Sequence, residues 1–203
     1  DMKLFYSGNS PYARRTRIAA RQVANLSGLV IEEVDAAPLG TADHALFQHG
    51  PGAKVPGLQT ESGAYLCETL VITNYLNGRS GGKLMPGDPA QFEGVLELEG
   101  IGSLLMDTLF HCSHEKRRAA GEQSPGVIAK ETERANRCYD ALENRLGGQA
   151  AVLNVGTIAA VASLGYSDWR HAEDDWRGGR PGLAAWFDEM MKNRDVAETH
   201  PII

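Results

Sequence analysis

Lys3-Leu4-Phe5-Tyr6-Ser7-Gly8-Asn9-Ser10-Pro11-Tyr12-Ala13-Arg14-Arg15 is the stretch from which the architecture can be read. Lys3–Tyr6 forms a short strand candidate, and Ser7-Gly8-Asn9 stops it. Ser10 is a good helix N-cap, and Pro11 suits the first helical position because the donor it lacks would be orphaned there anyway. The helix runs to about Asn25, with Ala13, Ile18, Ala19 and Val23 turned inward and Arg14, Arg15, Arg17 and Arg21 mostly outward. Leu29-Val30-Ile31-Glu32-Glu33-Val34 is rich in β-branched residues and reads as a strand. After Pro38-Leu39-Gly40 comes a weak helix, Thr41 to Gln48. Val55 and Gly57-Leu58-Gln59 read as the next strand, Glu61-Ser62-Gly63 as a hairpin turn and Tyr65-Leu66-Cys67 as the returning strand. Glu68 to Leu76 then has helical spacing, with Leu70, Val71, Tyr75 and Leu76 apolar. The order β-α-β-α-β-β-α specifies a small mixed sheet covered by helices.

Residues 77–88 are rich in glycine and hold Pro86, the composition of a linker. Beyond them strand signals nearly vanish. Pro89 to about Ala120 reads as one long helix weakened by Gly94, Gly100 and Gly102. Gln123-Ser124-Pro125 opens a second helix that ends at Leu146-Gly147-Gly148. Asn154 to Tyr166 is apolar all round and suits a buried helix, and Pro181 to Met191 carries Leu183, Trp186, Phe187 and Met190 on one face. The expectation is an α/β domain over residues 1–76, a linker over 77–88 and an all-α domain over 89–203.

Hydrophobic residues make up 42% of the 203 and charged residues 23%, close to globular averages, which excludes wholesale disorder and collagen-like repeats. The balance of 20 Lys plus Arg against 26 Asp plus Glu gives −6, and nothing in it favours nucleic acid or an anionic membrane. No apolar run approaches the ~20 residues that cross a bilayer. The first residues lack a signal peptide's apolar core. Cys67, Cys112 and Cys138 are odd in number and widely spaced, which makes no disulfide framework. These features describe a soluble protein of a reducing cytoplasm.

A strand that ends in a loop feeding a helix N-terminus aims unpaired N–H groups and a positive dipole end at whatever sits there. In thioredoxin-like proteins a Cys-x-x-Cys pair occupies that turn, where the helix end lowers the thiol pKa. Here the slot reads Ser10-Pro11-Tyr12-Ala13, without either sulfur. Sulfur chemistry at this place needs a thiol from a bound cosubstrate, whose thiolate the Ser10 hydroxyl can stabilise by donating a hydrogen bond. Lowering a thiol pKa from ~8.5 to ~6.5 takes about 2.7 kcal/mol, the order that one charge-assisted hydrogen bond and a helix terminus supply. On this segment alone Ser10 reads equally as a plain N-cap.

Two later features extend the pattern. Lys54-Val55-Pro56-Gly57 puts a proline where a strand should begin, as in a cis X–Pro turn, which exposes the Val55 backbone to an added peptide strand. At a strand-to-helix junction, Glu68 can bind an ammonium group, and Thr69 with its N–H can hold a carboxylate. The same two residues also read as ordinary first-turn capping. Together the three segments describe a pocket for a small zwitterionic thiol peptide.

Ser10-Pro11-Tyr12-Ala13-Arg14-Arg15, Lys54-Val55-Pro56, Glu68-Thr69-Leu70-Val71-Ile72 and a helical second half resemble the cytosolic glutathione S-transferase family, particularly its bacterial members with a serine at the thiol-activating position. Pro51-Gly52-Ala53-Lys54-Val55-Pro56 looks like the family's Asn-Pro-x-x-Lys-Val-Pro stretch, with Gly50 where Asn is usual, and Leu164–Arg170 resembles the end of the family's buried helix. The resemblance implies a thioredoxin-like N-terminal domain that binds glutathione and an all-α C-terminal domain that shapes an electrophile site. By position Ser10 would activate the glutathione sulfur. Val55 beside cis-Pro56 would pair with the tripeptide, Glu68 and Thr69 would hold its γ-glutamyl end, and Lys54 would reach its glycine carboxylate. Glutathione is then a cosubstrate, with no tightly bound cofactor, and the family's homodimer is the implied assembly.

The long helix would line the electrophile pocket, which makes Met106, Phe110 and His111, with Tyr12 and Trp169, candidate lining residues; the same residues also suit plain core. Tyr6 ends the first strand, where other classes of the family carry a catalytic tyrosine; its ring reads equally as core. Phe110-His111-Cys112-Ser113-His114-Glu115 gathers metal-ligand types, but no second cluster completes a site, so no metal is expected. Asn154-Val155-Gly156-Thr157 stands where the family has Ser/Thr-x-x-Asp, and Thr157 is read as a poorer reciprocal cap than Asp. The function implied is conjugation of glutathione to a small electrophile. The alternatives are other glutathione-dependent chemistry (thiol–disulfide exchange, peroxide reduction, isomerisation, ether cleavage) and a non-catalytic glutathione-binding module.

Overall fold

The computed structural model describes residues 1–36 and 50–201. The helix expected over residues 41–48 lies outside them. Strand β1 (Met2–Tyr6) is central: it pairs in parallel with β2 (Ile31–Asp35) and antiparallel with β3 (Gly57–Gln59), and β3 pairs antiparallel with β4 (Tyr65–Cys67). The sheet order is β2-β1-β3-β4. Alternation along β1 sorts its side chains: Met2 and Leu4 are fully buried in the main core, whereas Phe5 joins Ala36, Val55 and Tyr65 in a separate small cluster. The strand read as beginning at Leu29 begins two residues later, at Ile31. The arrangement is the expected one, a mixed sheet with helices followed by a wholly helical half.

Helix α1 (Pro11–Ser27) starts at Ser10 as expected and ends at Gly28, whose φ of 70° closes the helix through an N–H to the Ala24 carbonyl at 2.9 Å. The outward reading of its arginines is corrected. Arg14 and Arg15 are each 2% exposed and Arg17 is also buried, because later elements cover the face that the local pattern leaves to solvent. Arg14 Nε donates to Thr199 Oγ1 at 3.3 Å and Nη2 to the Val196 carbonyl at 2.9 Å, so it tethers the C-terminal segment; burial pulls its pKa down to about 10. Arg17 and Arg21 share Glu33 of β2 at 2.5 and 2.8 Å.

Helix α2 (Thr69–Arg79) lies beside α1. The helical half comprises α3 (Pro89–Lys116), α4 (Pro125–Leu146), α5 (Val155–Arg170), α6 (Pro181–Met190) and the short α7 (Arg194–Glu198). Asp88 and Ser124 cap α3 and α4 through side-chain oxygens, with proline at each first position. The long helix stops at Lys116 rather than near Ala120, because the Gln123 side-chain amide donates to the Lys116 and Arg118 carbonyls, both at 2.9 Å. Buried α5 is the axis of the second half, packed along α3 and against α1, so one core runs from Leu4 and Ile72 through Leu105 to Ile158 and Leu164.

The low expectation for Thr157 is also corrected. Asn154 Oδ1 accepts from the Thr157 N–H at 2.9 Å, and Thr157 Oγ1 accepts from the Asn154 N–H at 2.9 Å, a complete reciprocal box. The hydroxyl proton has its own acceptor, the Val152 carbonyl at 2.6 Å. Unlike a carboxylate, threonine donates as well as accepts, and here it ties the preceding loop to α5.

At the far end of α5, His171 is almost fully buried between α3 and the segment after α5. Its Nε2 lies 2.8 Å from the Leu109 carbonyl and its Nδ1 3.1 Å from Lys116 Nζ. An ammonium can only donate, so Nδ1 accepts and the neutral Nε2–H tautomer is selected. Burial, reinforced by Lys116, holds the His171 pKa below its ordinary value against the opposing pull of the Leu109 carbonyl, Asp174 and Glu173. His200 is lowered too, by burial and by Arg14. An unfolded histidine then takes up its proton first, so these groups contribute fully above about pH 6.5 and their contribution is lost as the pH falls toward the folded values. Urea midpoints are expected to drop from neutral pH to about pH 5.5 as these lowered histidines are protonated. The slope should be shallower in His171→Gln.

Candidate functional site

The sheet register brings the segments singled out in the sequence to one place. Phe5 pairs with Gly57 and Gly57 with Cys67, so three strands are aligned at one end of the sheet. From that end emerge Ser7–Ser10 after β1, Lys54–Pro56 before β3, and Glu68-Thr69 after β4. The Val55–Pro56 bond is cis; Pro56 is buried, Val55 half-buried and Lys54 exposed.

Ser10 Oγ accepts from the Ala13 N–H at 3.1 Å as the N-cap of α1. This bond uses a lone pair and leaves the hydroxyl proton available, so capping and donation to an anion are compatible in one side chain. Thr69 is buried and its hydroxyl donates to the Tyr12 carbonyl at 3.3 Å, which draws the first turns of α1 and α2 together. Glu68 is exposed and has φ 76°, ψ 132°, a strained conformation for a residue with a side chain. One of its carboxylate oxygens accepts from the Leu70 N–H at 3.1 Å. Tyr6 is half-buried, with its ring under the Arg17 guanidinium at 3.9 Å.

Tyr12 joins this end to the helical half. Its hydroxyl donates to Asp107 Oδ1 of α3 at 2.5 Å. Burial first, then Asp107, drive its pKa far upward, so it stays a neutral donor at all working pH. One turn along α1, buried Arg15 donates to Ser103 Oγ at 2.8 Å and faces Glu99 at 3.8 Å. Its pKa is lowered by burial, with Glu99, Glu68, Asp107 and Tyr12 opposing the shift, so these groups form one electrostatic neighbourhood.

The Tyr12 ring meets Phe110 edge-on at 5.2 Å, Phe110 lies 6.5 Å from Tyr166, and Tyr166 lies 6.0 Å from Trp169. Three of the candidate lining residues, Tyr12, Phe110 and Trp169, thus share one aromatic wall made from the ends of α1, α3 and α5. His111 is exposed, 6.3 Å from Phe110, and Met106 is fully enclosed. Sequence reasoning passed over Asp107, Tyr166 and Arg170, and took His114 only as a metal-ligand type. Helical spacing from Phe110 and from Trp169 was the available signal, since Asp107 and His114 flank Phe110 at three and four residues and Tyr166 precedes Trp169 by three.

The histidine–cysteine segment splits apart: His114 stacks by Phe110 at 4.1 Å, while buried Cys112 points to the Ile128 carbonyl. Among the described residues His171, Glu173 and Asp174 bring possible ligand atoms within 4.8 Å of one another. They are already committed, His171 and Glu173 to Lys116 and Asp174 to Tyr139.

Residues 9–79 match the family profile described as the N-terminal domain of glutathione S-transferase. Over 98% of both chains the protein is 28% identical to the uncharacterized GST-like protein YibF of Escherichia coli K12. A glutathione transferase family member from Pseudomonas fluorescens Pf-5, solved with bound glutathione, superposes with a TM-score of 0.86 at 26% identity over 100% of both chains. Residues 9–79 and the fold as a whole thus carry the likeness of the glutathione S-transferase family. A glutathione S-transferase from Methylobacillus flagellatus KT, also with glutathione bound, gives a TM-score of 0.85 at 28% identity and the same full coverage. The sheet with its helices has the thioredoxin-like fold of that family's N-terminal domain, and a helical half follows it. No helix among the described residues is long and apolar enough to cross a membrane.

Proposed function

We propose that this protein is a glutathione transferase: it holds glutathione at the aligned end of the sheet, lowers its thiol pKa and directs the thiolate at a small electrophile on the aromatic wall. The observation that carries the reading is Ser10, a capped hydroxyl with its proton still to donate, at the mouth of α1 and beside the Val55 and Glu68-Thr69 segments. Val55 pairs with the tripeptide backbone, Glu68 and Thr69 receive the γ-glutamyl end, and Lys54 reaches toward the glycine carboxylate. Ser10 and the α1 terminus stabilise the sulfur anion. The enzyme supplies ionisation and proximity, and the nucleophile belongs to the cosubstrate. Titrating the thiolate ultraviolet band of bound glutathione tests this: the apparent pKa should lie well below that of free glutathione. An unshifted pKa would make the protein a carrier, and no binding would remove the reading altogether.

Thiol–disulfide exchange is the main alternative within glutathione chemistry. Without a cysteine at Ser10 it would run between two glutathione molecules or through exposed Cys67, and a disulfide substrate panel separates it from conjugation. The same reading makes the protein a homodimer. Leu70 and Val71 of α2 and Phe92, Leu96 and Leu104 of α3 are large apolar side chains 41–60% exposed in the protomer, a surface that a second copy would cover. Sedimentation equilibrium reads that assembly directly. Free cysteines and the composition fit a cytoplasmic setting.

A further inference from the structure

We propose that Arg170 makes the second-substrate pocket selective for planar electrophiles that carry a carboxylate, an inference that rests on the glutathione-transferase reading and names its substrate class. The Arg170 guanidinium lies over the Trp169 ring at 3.8 Å, at the end of the wall that runs from Tyr12 through Phe110 and Tyr166. Among the described residues it makes no hydrogen bond and no ion pair, and its Nε is buried without an acceptor. Nearly every other arginine of the chain is engaged. Asp168, the closest carboxylate in sequence, is occupied twice by Arg177, at 2.5 and 3.0 Å, and once by the Trp176 indole at 2.7 Å. Glu173 is held by Lys116.

Trp169 covers one face of the guanidinium, and since Nε is enclosed while the two Nη groups are not, the Nη groups are the donors left to a carboxylate. Charge is graded along the wall. Asp107 and Glu68 stand at the glutathione end, whereas Arg170 ends the wall beyond Trp169, and His114 and Arg117, 3.4 Å apart, follow Phe110 along α3. An aromatic or conjugated electrophile therefore lies along the half-buried Phe110 and Trp169 rings, which buried Tyr166 backs, with its reactive carbon toward the glutathione sulfur and its anionic group on Arg170. With an aryl chloride the sulfur–carbon bond forms as the carbon–chlorine bond breaks, and chloride leaves with the bonding pair.

The test pairs a carboxylate with its neutral amide. Affinities of the intact protein for S-(para-carboxybenzyl)glutathione and S-(para-carbamoylbenzyl)glutathione are measured by calorimetry, and kcat/KM for para-chloro-meta-nitrobenzoate and its primary amide by absorbance, with each substrate serving as its own reference across variants. Arg170→Gln is expected to lower affinity and kcat/KM for the carboxylates about tenfold, the effect of losing one charge-assisted pair, with under about twofold change for the amides. Arg170→Lys, which keeps charge and stem but not the planar fork, should fall between and guards against a variant that fails to fold. Equal wild-type affinity for acid and amide, or a preference that survives Arg170→Gln, overturns the proposal. Binding of unsubstituted glutathione separates the two failures: if glutathione binds without carboxylate selectivity, only this inference falls, and if it does not bind, the parent reading falls with it.

Discussion

Ser10→Ala is expected to lower kcat/KM for conjugation about ten- to a hundredfold at neutral pH, the equivalent of one hydrogen bond to a charged group, while glutathione affinity changes little. The reasoning is a linkage argument. A donor that favours the thiolate over the thiol lowers the bound thiol's pKa by one unit for each 1.36 kcal/mol of differential interaction, and removing about 2 kcal/mol returns roughly one and a half units. The defect should therefore be largest where the wild type is ionised and the variant is not. It should narrow as the pH rises past about 9, where thiols ionise unaided. The pH profile of kcat/KM checks both the depth and the shift of that limb. The backbone N–H groups at the α1 terminus remain in the variant, so some depression of the thiol pKa should persist.

Because Ser10 also accepts from Ala13, alanine removes an N-cap and costs about 1 kcal/mol of stability for reasons unrelated to sulfur. Two further substitutions separate the roles. Ser10→Asp keeps an excellent cap and restores stability, but it sets a negative charge against the thiolate and should be the poorest catalyst. Ser10→Thr keeps cap and hydroxyl and should retain most activity. Stability and turnover are thus predicted to rank the variants differently. If Ser10→Asp turns over like the wild type, the side chain is a cap alone and thiol activation rests on the helix terminus.

The local logic of the first domain was legible because it is written in neighbouring residues: a strand, a stop at Ser7-Gly8-Asn9, a cap at Ser10, and proline at the first helical position. The meeting of Ser10, Val55 and Glu68 was legible once the hairpin fixed which strand ends coincide, since Gly57 lies opposite both Phe5 and Cys67. What failed was whatever depends on distant cover. Arg14 and Arg15 read as outward because nothing within a helical turn hides them; the groups that accept from them are Val196, Thr199 and Ser103, far along the chain. Asp107 was passed over for the same reason, since its partner Tyr12 lies 95 residues away and a charged residue at helical spacing otherwise reads as solvated. Thr157 was undervalued because its residue type was compared with Asp as an acceptor only, when its additional role is to donate to Val152.

Glycines in α3 make the same point with a larger effect. Gly94, Gly100 and Gly102 all read as weaknesses in a long helix, yet only one of them has a neighbour against it. A Cβ at Gly102 would lie 2.7 Å from Ala159 Cβ, 2.9 Å from the Ala159 carbonyl carbon and 3.0 Å from the Ala160 nitrogen, whereas Gly94 and Gly100 face open space. Two of those three atoms are backbone, which cannot rotate away, and Ser163 Oγ donates to the Gly102 carbonyl at 2.9 Å across the same contact. Gly102→Ala is therefore expected to destabilise the protein by about 3 kcal/mol, at the upper end of overpacking, because α3 and α5 must separate to admit one methyl group. Gly100→Ala should act in the opposite direction, stabilising by about 0.5–1 kcal/mol through helix propensity and a less flexible unfolded chain. Urea midpoints of the two variants give the signs directly, and equal shifts would mean that propensity rather than close approach governs the site. The functional reading follows from what the two helices carry. Asp107 and Phe110 lie on α3 and Tyr166 and Trp169 on α5, so separating the helices disturbs the aromatic wall proposed to hold the electrophile more than the sheet-end segments around Ser10, Val55 and Glu68. Under conditions where Gly102→Ala stays folded, KM for the electrophile should rise several-fold more than the dissociation constant of glutathione, a split that a general loss of folded protein would not produce.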